Sequence, residues 1–335
     1  MRLLITGATG FLGSRTLEFL CEKNEIQEIV ATGRKFSQHP KLVHPKVQYL
    51  LGDLEDSAFV SSLFANKLDL IINCASLSSP WGTYSEFYSA NIKSQKHLIQ
   101  KAKKHEVKKF IYISSPSVFF NYKDQISIKE TNPKPQKAVN NYSKTKLEAE
   151  KMLQNSGLSF IILRPRALIG RGDTVIMPRL IRSYKEGRLK IIGKGNNQVD
   201  LTSVYNMVNC IYLSIIAKEE SWNEDYNISN GKPVNLWTAI NSVLELLGFE
   251  SLKSKMSFGF LMIVAQLMEW NARYNSKSGE PVLTKYSVGT LAKSFSFSIE
   301  KAQNKLNYKA LQSTDEAILE FVKWYKIKSD ENAGI

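Results

Sequence analysis

Tyr142 and Lys146 stand one helical turn apart in the run Tyr142-Ser143-Lys144-Thr145-Lys146. Residues at i and i+4 share a helix face, so a phenol and an ammonium would look into one cleft. A phenol with an ordinary pKa near ~10 exchanges protons poorly at neutral pH, whereas a fixed cation beside it favours the phenolate. Tuned in this way, Tyr142 would protonate a carbonyl oxygen as hydride arrives, or deprotonate an alcohol as hydride leaves. The spacing by itself also marks many exposed helix faces, so its meaning depends on what lies around it. Lys144, at i+2, is assigned to solvent on the opposite side.

A second group precedes it. Gly7, Gly10 and Gly13 fall in Thr6-Gly7-Ala8-Thr9-Gly10-Phe11-Leu12-Gly13, between the apolar run Leu3-Leu4-Ile5 and a helical pattern from Phe11 to Lys23. Glycines there permit a tight turn and close approach of the backbone to a pyrophosphate. They also let the helix pack tightly on the sheet, its N-terminal N–H groups facing the anion. An isolated glycine-rich turn means little, but one that opens an alternating strand–helix pattern points to a dinucleotide site. The second strand ends in Gly33-Arg34-Lys35, with no carboxylate nearby. An acidic residue at this point would hold the ribose 2′-hydroxyl of NAD, whereas a guanidinium fits a 2′-phosphate. The expected cofactor is therefore NADP(H). NAD(H) is the alternative, with Arg34 then solvated or stacked on adenine.

The elements that must position these groups follow a regular order. Apolar runs at Leu3-Leu4-Ile5, Glu28–Ala31, Val47–Leu50, Leu68–Asn73, Phe110–Ile113 and Ser159–Leu163 read as strands. Helical patterns lie at Phe11–Lys23, Asn91–Lys104 and Asn140–Gln154. Strict alternation requires crossover connections and a parallel sheet covered on both faces. The fold class expected is α/β, a doubly wound parallel sheet of Rossmann type with a smaller, interleaved C-terminal substrate domain. Residues 1–165 would form the dinucleotide-binding part, with 200–230 returning to it through a helix at Val204–Ala217. Residues 166–199 and 231–330 would form the substrate-binding part. A short strand is expected within Arg188–Gly193, and Ser313-Thr314-Asp315-Glu316 has the capping-box pattern of a helix start.

Composition excludes several classes. The 335 residues carry 45 Lys+Arg against 31 Asp+Glu, a formal charge of +14, and 43% hydrophobic residues, enough apolar matter to rule out global disorder. Three cysteines (Cys21, Cys74, Cys210) form no disulfide framework or zinc spacing, and the four histidines are scattered, so no metal is expected. The basic surplus admits nucleic acid, an anionic membrane or an acidic ligand. Lysines 101, 103, 104, 108 and 109 gather at a helix end without interleaved aromatics, which argues against nucleic acid. Met1–Ile5 reaches Thr6-Gly7 too soon for a signal-peptide core, and the most apolar stretch, within 258–268, is too short to span a bilayer. A buried helix is the simplest reading of that stretch; a substrate lid or minor peripheral membrane contact is the other. A cytoplasmic location is expected.

The GxxGxxG spacing preceded by Thr, together with Tyr142 and Lys146, resembles the extended branch of the short-chain dehydrogenase/reductase superfamily, the epimerase/dehydratase group, over nearly the whole chain. The resemblance implies Tyr142, Lys146 and Ser115 as catalytic residues, with Ser114 and Ser117 as the other serines of that strand end. It implies cofactor contacts from Gly7, Thr9, Gly10, Phe11, Leu12, Gly13, Arg34, Asp53, Leu54, Cys74, Ala75, Tyr142, Lys146 and Pro165. Asn91 resembles the helix asparagine that supports a proton-relay water in that family. Pro80-Trp81-Gly82-Thr83-Tyr84 and Ser115-Pro116-Ser117-Val118 are similar to the 3β-hydroxysteroid dehydrogenase group, and within it to 2-alkyl-3-oxoalkanoate reductases. The implied reaction is reduction of a hydrophobic or acidic carbonyl compound, or its reverse, by a homodimer. The alternatives are an NAD-dependent sugar-nucleotide epimerase or dehydratase, whose diphosphate Arg166, Arg179 or Arg182 would hold, and a non-catalytic dinucleotide- or RNA-binding protein.

Overall fold

The computed structural model describes residues 1–36, 39–275 and 279–333. Seven parallel strands form its central sheet: β1 (Arg2–Thr6), β2 (Glu28–Gly33), β3 (Val47–Leu51), β4 (Leu70–Asn73), β5 (Lys109–Ile113), β6 (Ser159–Pro165) and β7 (Glu224–Ile228). They lie in the order β7-β6-β5-β4-β1-β2-β3. The order reverses at β1, and in sheets of this kind the crevice for a ligand opens there, beyond the strand C-termini.

Alternation along each strand sends neighbouring side chains to opposite faces. Leu3 and Ile5 pack on one face with Leu17 of α1 (Phe11–Cys21). Leu4 packs on the other with Leu98 of α2 (Ser94–Lys104) and Leu153 of α3 (Asn141–Gln154). The helix α4 (Val204–Ile215) returns to the first face through Met207 and Ile211, and β7 extends the sheet beside β6. The expected doubly wound α/β architecture is the one this chain adopts.

A smaller sheet stands beside the strand C-termini, ordered Val234–Asn235, Gln198–Val199, Phe295–Phe297, Gln125–Ile128. Its last strand comes from early in the chain and its neighbour from near the end, so the two halves are stitched together. C-terminal helices α5 (Phe258–Tyr274), α6 (Lys285–Ala292) and α7 (Thr314–Ala333) complete this part. The Ser313 and Glu316 side chains cap each other's backbone N–H groups at the start of α7, as the sequence pattern requires.

Two elements differ from expectation. The helix expected from Asn91 begins earlier, at Tyr84–Phe87 with a capping box on Thr83, and passes through a π-helical turn, Tyr88–Lys93, before α2. The apolar 258–268 stretch is not a buried helix. It belongs to α5, a 17-residue helix that buries Leu261, Ala265 and Glu269 but turns Phe260, Ile263, Leu267, Trp270 and Tyr274 to solvent. Its apolar residues lie on two faces, and among the described residues only one packs into the core. Among the described residues, no helix is long and apolar enough to cross a membrane, and no group of three His, Cys, Asp or Glu could hold a metal.

Candidate active site

Most residues singled out from the sequence lie at or just beyond the C-terminal end of a central strand, or on the helix facing those ends; Asn91 lies in the π-helical turn Tyr88–Lys93, and Arg179 and Arg182 on the helix Ile176–Lys185. Gly7 to Gly13 follow β1, Arg34 follows β2, and Asp53 and Leu54 follow β3. Cys74 and Ala75 follow β4, Ser115 follows β5, Pro165 ends β6, and Tyr142 and Lys146 lie on α3.

The three glycines of the first turn do different work. Gly7 has φ +65°, and a Cβ there would lie 2.8 Å from the Ala75 nitrogen, so only glycine lets this turn meet the end of β4. At Gly13 a Cβ would lie 2.1 Å from the Gly7 carbonyl oxygen, which fixes how closely α1 sits on the loop. Gly10 is the open position: a Cβ there meets nothing closer than the Gly7 carbonyl oxygen at 3.3 Å. It is also the N-cap of α1 and supplies no side-chain cap, so the first-turn N–H groups are free for an anion. These features fit a dinucleotide pyrophosphate. Thr9 packs against Gly33, where a Cβ would overlap its hydroxyl, and so joins the glycine turn to the end of β2.

The turn is tied to the rest of the site by a buried chain of hydrogen bonds. Thr6 Oγ1 donates to Asn73 Oδ1 (2.6 Å), Asn73 Nδ2 to Gln95 Oε1 (3.0 Å), and Gln95 Nε2 to the Ala149 carbonyl of α3 (2.8 Å). Asn91, in the π-helical turn, accepts from the Leu77 N–H (2.8 Å) and donates to Thr145 Oγ1 (3.1 Å), fixing the loop after β4 against α3. Asp53 is exposed and accepts from the Glu55 N–H (2.9 Å), while Leu54 packs into the core.

On α3, Lys146 is almost fully buried and its Nζ donates to the Ile113 carbonyl at the end of β5 (2.8 Å). Burial pushes its pKa down to about 7, against the opposing pull of Glu150 and Cys74. Burial also raises the Tyr142 phenol, while polar interactions with the Ser78 and Ser115 side chains lower it. The phenol is thus held above its ordinary value, not below it as the spacing alone suggested. A protonated Tyr142 is an acid ready to donate to a carbonyl oxygen.

The three serines after β5 separate by partner. Ser114 Oγ donates to Glu150 Oε1 (2.6 Å), Ser115 faces Tyr142, and Ser117 faces Tyr286 of α6. Ser78 joins Ser115 at the phenol, and the sequence offered no signal for it. Glu150 had one, since it continues the Tyr142–Lys146 column by another turn. It forms a two-pronged pair with the fully buried Arg164 (2.7 Å at each contact), and Arg164 also reaches Asp225 (2.5 Å). Burial alone would lower the Arg164 pKa, but the two carboxylates more than offset it and hold the guanidinium charged.

Around the phenol, Phe87 lies 6.2 Å from the Tyr142 ring, and Tyr286 stands within electrostatic reach of the same group. Tyr286 packs edge-on against Phe120 (5.7 Å), and Phe120 against Phe295 (5.1 Å). The Arg273 guanidinium of α5 sits 5.8 Å over Trp81, joining the loop after β4 to the C-terminal helices. Lys144 is exposed, its ammonium over the Tyr84 ring, as expected for a residue outside the cleft.

A doubly wound sheet, a glycine turn at its switch point and a Tyr–Lys helix facing the strand ends define a dinucleotide-dependent enzyme. The chain belongs to the NAD dependent epimerase/dehydratase family, whose model matches residues 3–229. It is an NAD(P)-dependent oxidoreductase acting on CH–OH groups. It is similar to the Escherichia coli (strain K12) protein YbjS, with 31% identity covering 97% of this chain and 98% of the relative. It is also similar to a 2-alkyl-3-oxoalkanoate reductase of Stenotrophomonas maltophilia, with 27% identity covering 95% and 97%. Among solved structures it shares its fold with Bordetella bronchiseptica WbmH in complex with NAD+ (TM-score 0.76, 17% identity, covering 97% of this chain and 98% of the other). It shares it also with the UDP-glucuronic acid 4-epimerase of Bacillus cereus in complex with NAD (TM-score 0.75, 20% identity, covering 98% and 99%).

Both of these structures hold NAD, and that overturns the NADP(H) preference drawn from Arg34. The physical reason lies in the residue's setting. Arg34 and Lys35 are exposed beyond β2, and an exposed guanidinium stacks on an adenine ring as readily as it grips a 2′-phosphate. The absence of a carboxylate at this strand end does not by itself select a phosphate.

Proposed function

We propose that this chain interconverts a secondary alcohol and a ketone on a largely apolar substrate, with NAD as the hydride carrier. The observation that carries the reading is the aromatic wall beside Tyr142, built by Phe87, Tyr286 and, behind Tyr286, Phe120. Rings in this position favour hydrocarbon over a hydrated sugar. When bound, NAD supplies or accepts the hydride. Tyr142 gives its phenolic proton to the substrate oxygen or takes it back, Ser115 and Ser78 hold that oxygen beside the phenol, and Lys146 fixes the end of β5 that carries Ser115. The full-length similarity to a 2-alkyl-3-oxoalkanoate reductase supports the same substrate class.

A second reading, an NAD-dependent sugar-nucleotide epimerase or dehydratase, has its own support. The solved structures of this fold include a UDP-glucuronic acid 4-epimerase and MoeE5 with UDP-glucose and NAD, and they back this reading better than NADP-dependent ketone reduction. Of the three arginines considered for a diphosphate, however, Arg182 is exposed and Arg179 pairs with Glu280 at the surface.

The experiment is direct. Purified protein is supplied with NADH and a panel of β-keto acids, 3-ketosteroids and short ketones, and in parallel with UDP-glucose and UDP-glucuronate without added cofactor. NADH oxidation on the ketone panel supports the proposal. Conversion of a UDP-sugar by endogenous NAD, with no ketone reduced, replaces it by the second reading.

A further inference from the structure

Arg166 follows Pro165 at the end of β6, and its guanidinium lies within electrostatic reach of Tyr286. Its backbone is fixed on both sides. The Arg166 N–H donates to the Ile228 carbonyl (3.1 Å), and its own carbonyl accepts from Thr202 Oγ1 (2.5 Å). The guanidinium lies 5.3 Å over the Phe295 ring, at the end of the aromatic series that runs through Phe120 to Tyr286. Tyr286 is within electrostatic reach of both Arg166 and Tyr142, so the cation and the reacting phenol flank one side chain.

This cation is poorly served by the protein. Its Nε is shut off from solvent and has no hydrogen-bond partner among the described residues. Among the described residues, no carboxylate lies within 4.0 Å of it. The nearest in electrostatic terms is Asp200, which is fully buried, accepts from the Phe297 N–H (2.6 Å) and is also engaged by the Ser229 side chain. Arg164, two residues earlier, is the opposite case, with Glu150 and Asp225 both on its guanidinium. A guanidinium left short of partners beside a substrate cleft, with five donors in a fixed fork, is suited to an oxyanion brought by the ligand. Its burial lowers its pKa, against the opposing pull of Tyr286 and Asp200, consistent with a counter-ion that the fold itself does not complete.

We infer that Arg166 anchors a carboxylate of the substrate, so that the chain discriminates β-keto or β-hydroxy acids from neutral ketones and alcohols of the same length. This rests on the proposed function, because it takes the cleft beside Tyr142 as the place where the apolar chain lies. The carboxylate would lie toward Arg166 and the reacting carbonyl, one carbon away, toward Tyr142, with Tyr286 alongside both.

The test compares wild type, Arg166→Gln and Arg166→Lys with NADH, using 3-oxodecanoate and its methyl ester. In Arg166→Gln the ratio of kcat/KM for acid over ester falls about tenfold or more, chiefly through KM, and Arg166→Lys recovers part of it. An unchanged ratio overturns the inference. A calorimetric arm reads Arg166 without turnover, so that failure of the functional reading is told apart from failure of this one. Decanoate binds wild type and is lost in Arg166→Gln even if no ketone is reduced, and equal binding to both overturns the assignment. If Arg166→Gln instead loses UDP-glucose, which has a diphosphate and no carboxylate, while keeping decanoate, the anion is a diphosphate and the carboxylate assignment is overturned.

Discussion

Lys146 and Glu150 stand one turn apart on α3 and grip consecutive residues at the end of β5. Lys146 takes the Ile113 carbonyl (2.8 Å) and Glu150 the Ser114 hydroxyl (2.6 Å). The next residue is Ser115, which faces Tyr142. One helix face therefore presents the phenol and, in its next two turns, holds still the strand end that carries the phenol's partner.

Removing the phenolic hydroxyl tests the proton step. Tyr142→Phe should lower kcat by about a hundredfold or more, the usual scale for loss of a general acid, while NADH affinity changes little. Steady-state kinetics beside fluorescence titration of NADH separate the two. Turnover within a factor of a few of wild type removes Tyr142 from the reaction.

The direction of the Tyr142 shift sets a pH dependence. Burial keeps the phenol protonated through neutral pH, so reduction should be flat there and decline only in the alkaline range. Oxidation of the alcohol, which needs the phenolate, should climb with pH over the same range. Initial rates in both directions from pH 6 to about 10.5 check this against an ordinary phenol near ~10.

Lys146 makes stability depend on pH as well. Its folded-state pKa of about 7 lies below its unfolded value. Between the two, the unfolded chain holds a proton that the folded chain lacks, so this contribution to stability rises with pH and is smallest below 7. Lys146→Met should remove that slope, the variant losing ground to wild type as pH rises from 7 toward 10. Urea midpoints at several pH values read it, and parallel curves for the two proteins would show that Lys146 titrates normally.

Glu150→Gln should cost about 3 kcal/mol or more of folding stability, because among the described residues it leaves the fully buried Arg164 with only Asp225 as an ion-pair partner. Replacing both members, with Arg164→Met added, should recover a substantial part. A double variant no more stable than Glu150→Gln would place the ion pair's role elsewhere.

The two glycines of the first turn should separate fold from binding. Gly13→Ala forces a Cβ onto the Gly7 carbonyl oxygen and should weaken both the melting temperature and NADH affinity. Gly10→Ala meets little protein, and should weaken NADH about tenfold by crowding the pyrophosphate while leaving melting nearly unchanged. Thermal melts with and without NADH give both readings.

The main sheet was legible because its signals are local. Leu3-Leu4-Ile5, the glycine turn and Phe110–Ile113 each announce their conformation within a few residues, and a parallel sheet follows from their alternation. The Tyr142–Lys146 column was legible for the same reason. Ser78 and Tyr286 were not, because they reach the phenol only through a loop and a helix whose placement depends on tertiary contacts such as Arg273 over Trp81. The 258–268 stretch misled because hydropathy counts apolar residues without saying how many faces of α5 find a partner. Arg34 misled because a side chain's charge was taken for its ligand.

The pairing of Gln125–Ile128 with Phe295–Phe297 has a consequence for synthesis. By residue 228 the ribosome has delivered all seven strands of the dinucleotide half, Tyr142 and Lys146 included. Tyr286 and the strand Phe295–Phe297 emerge later, and Gln125–Ile128 must wait for that strand as an unpaired edge. A nascent chain therefore completes the seven-stranded dinucleotide fold first and closes the smaller sheet last.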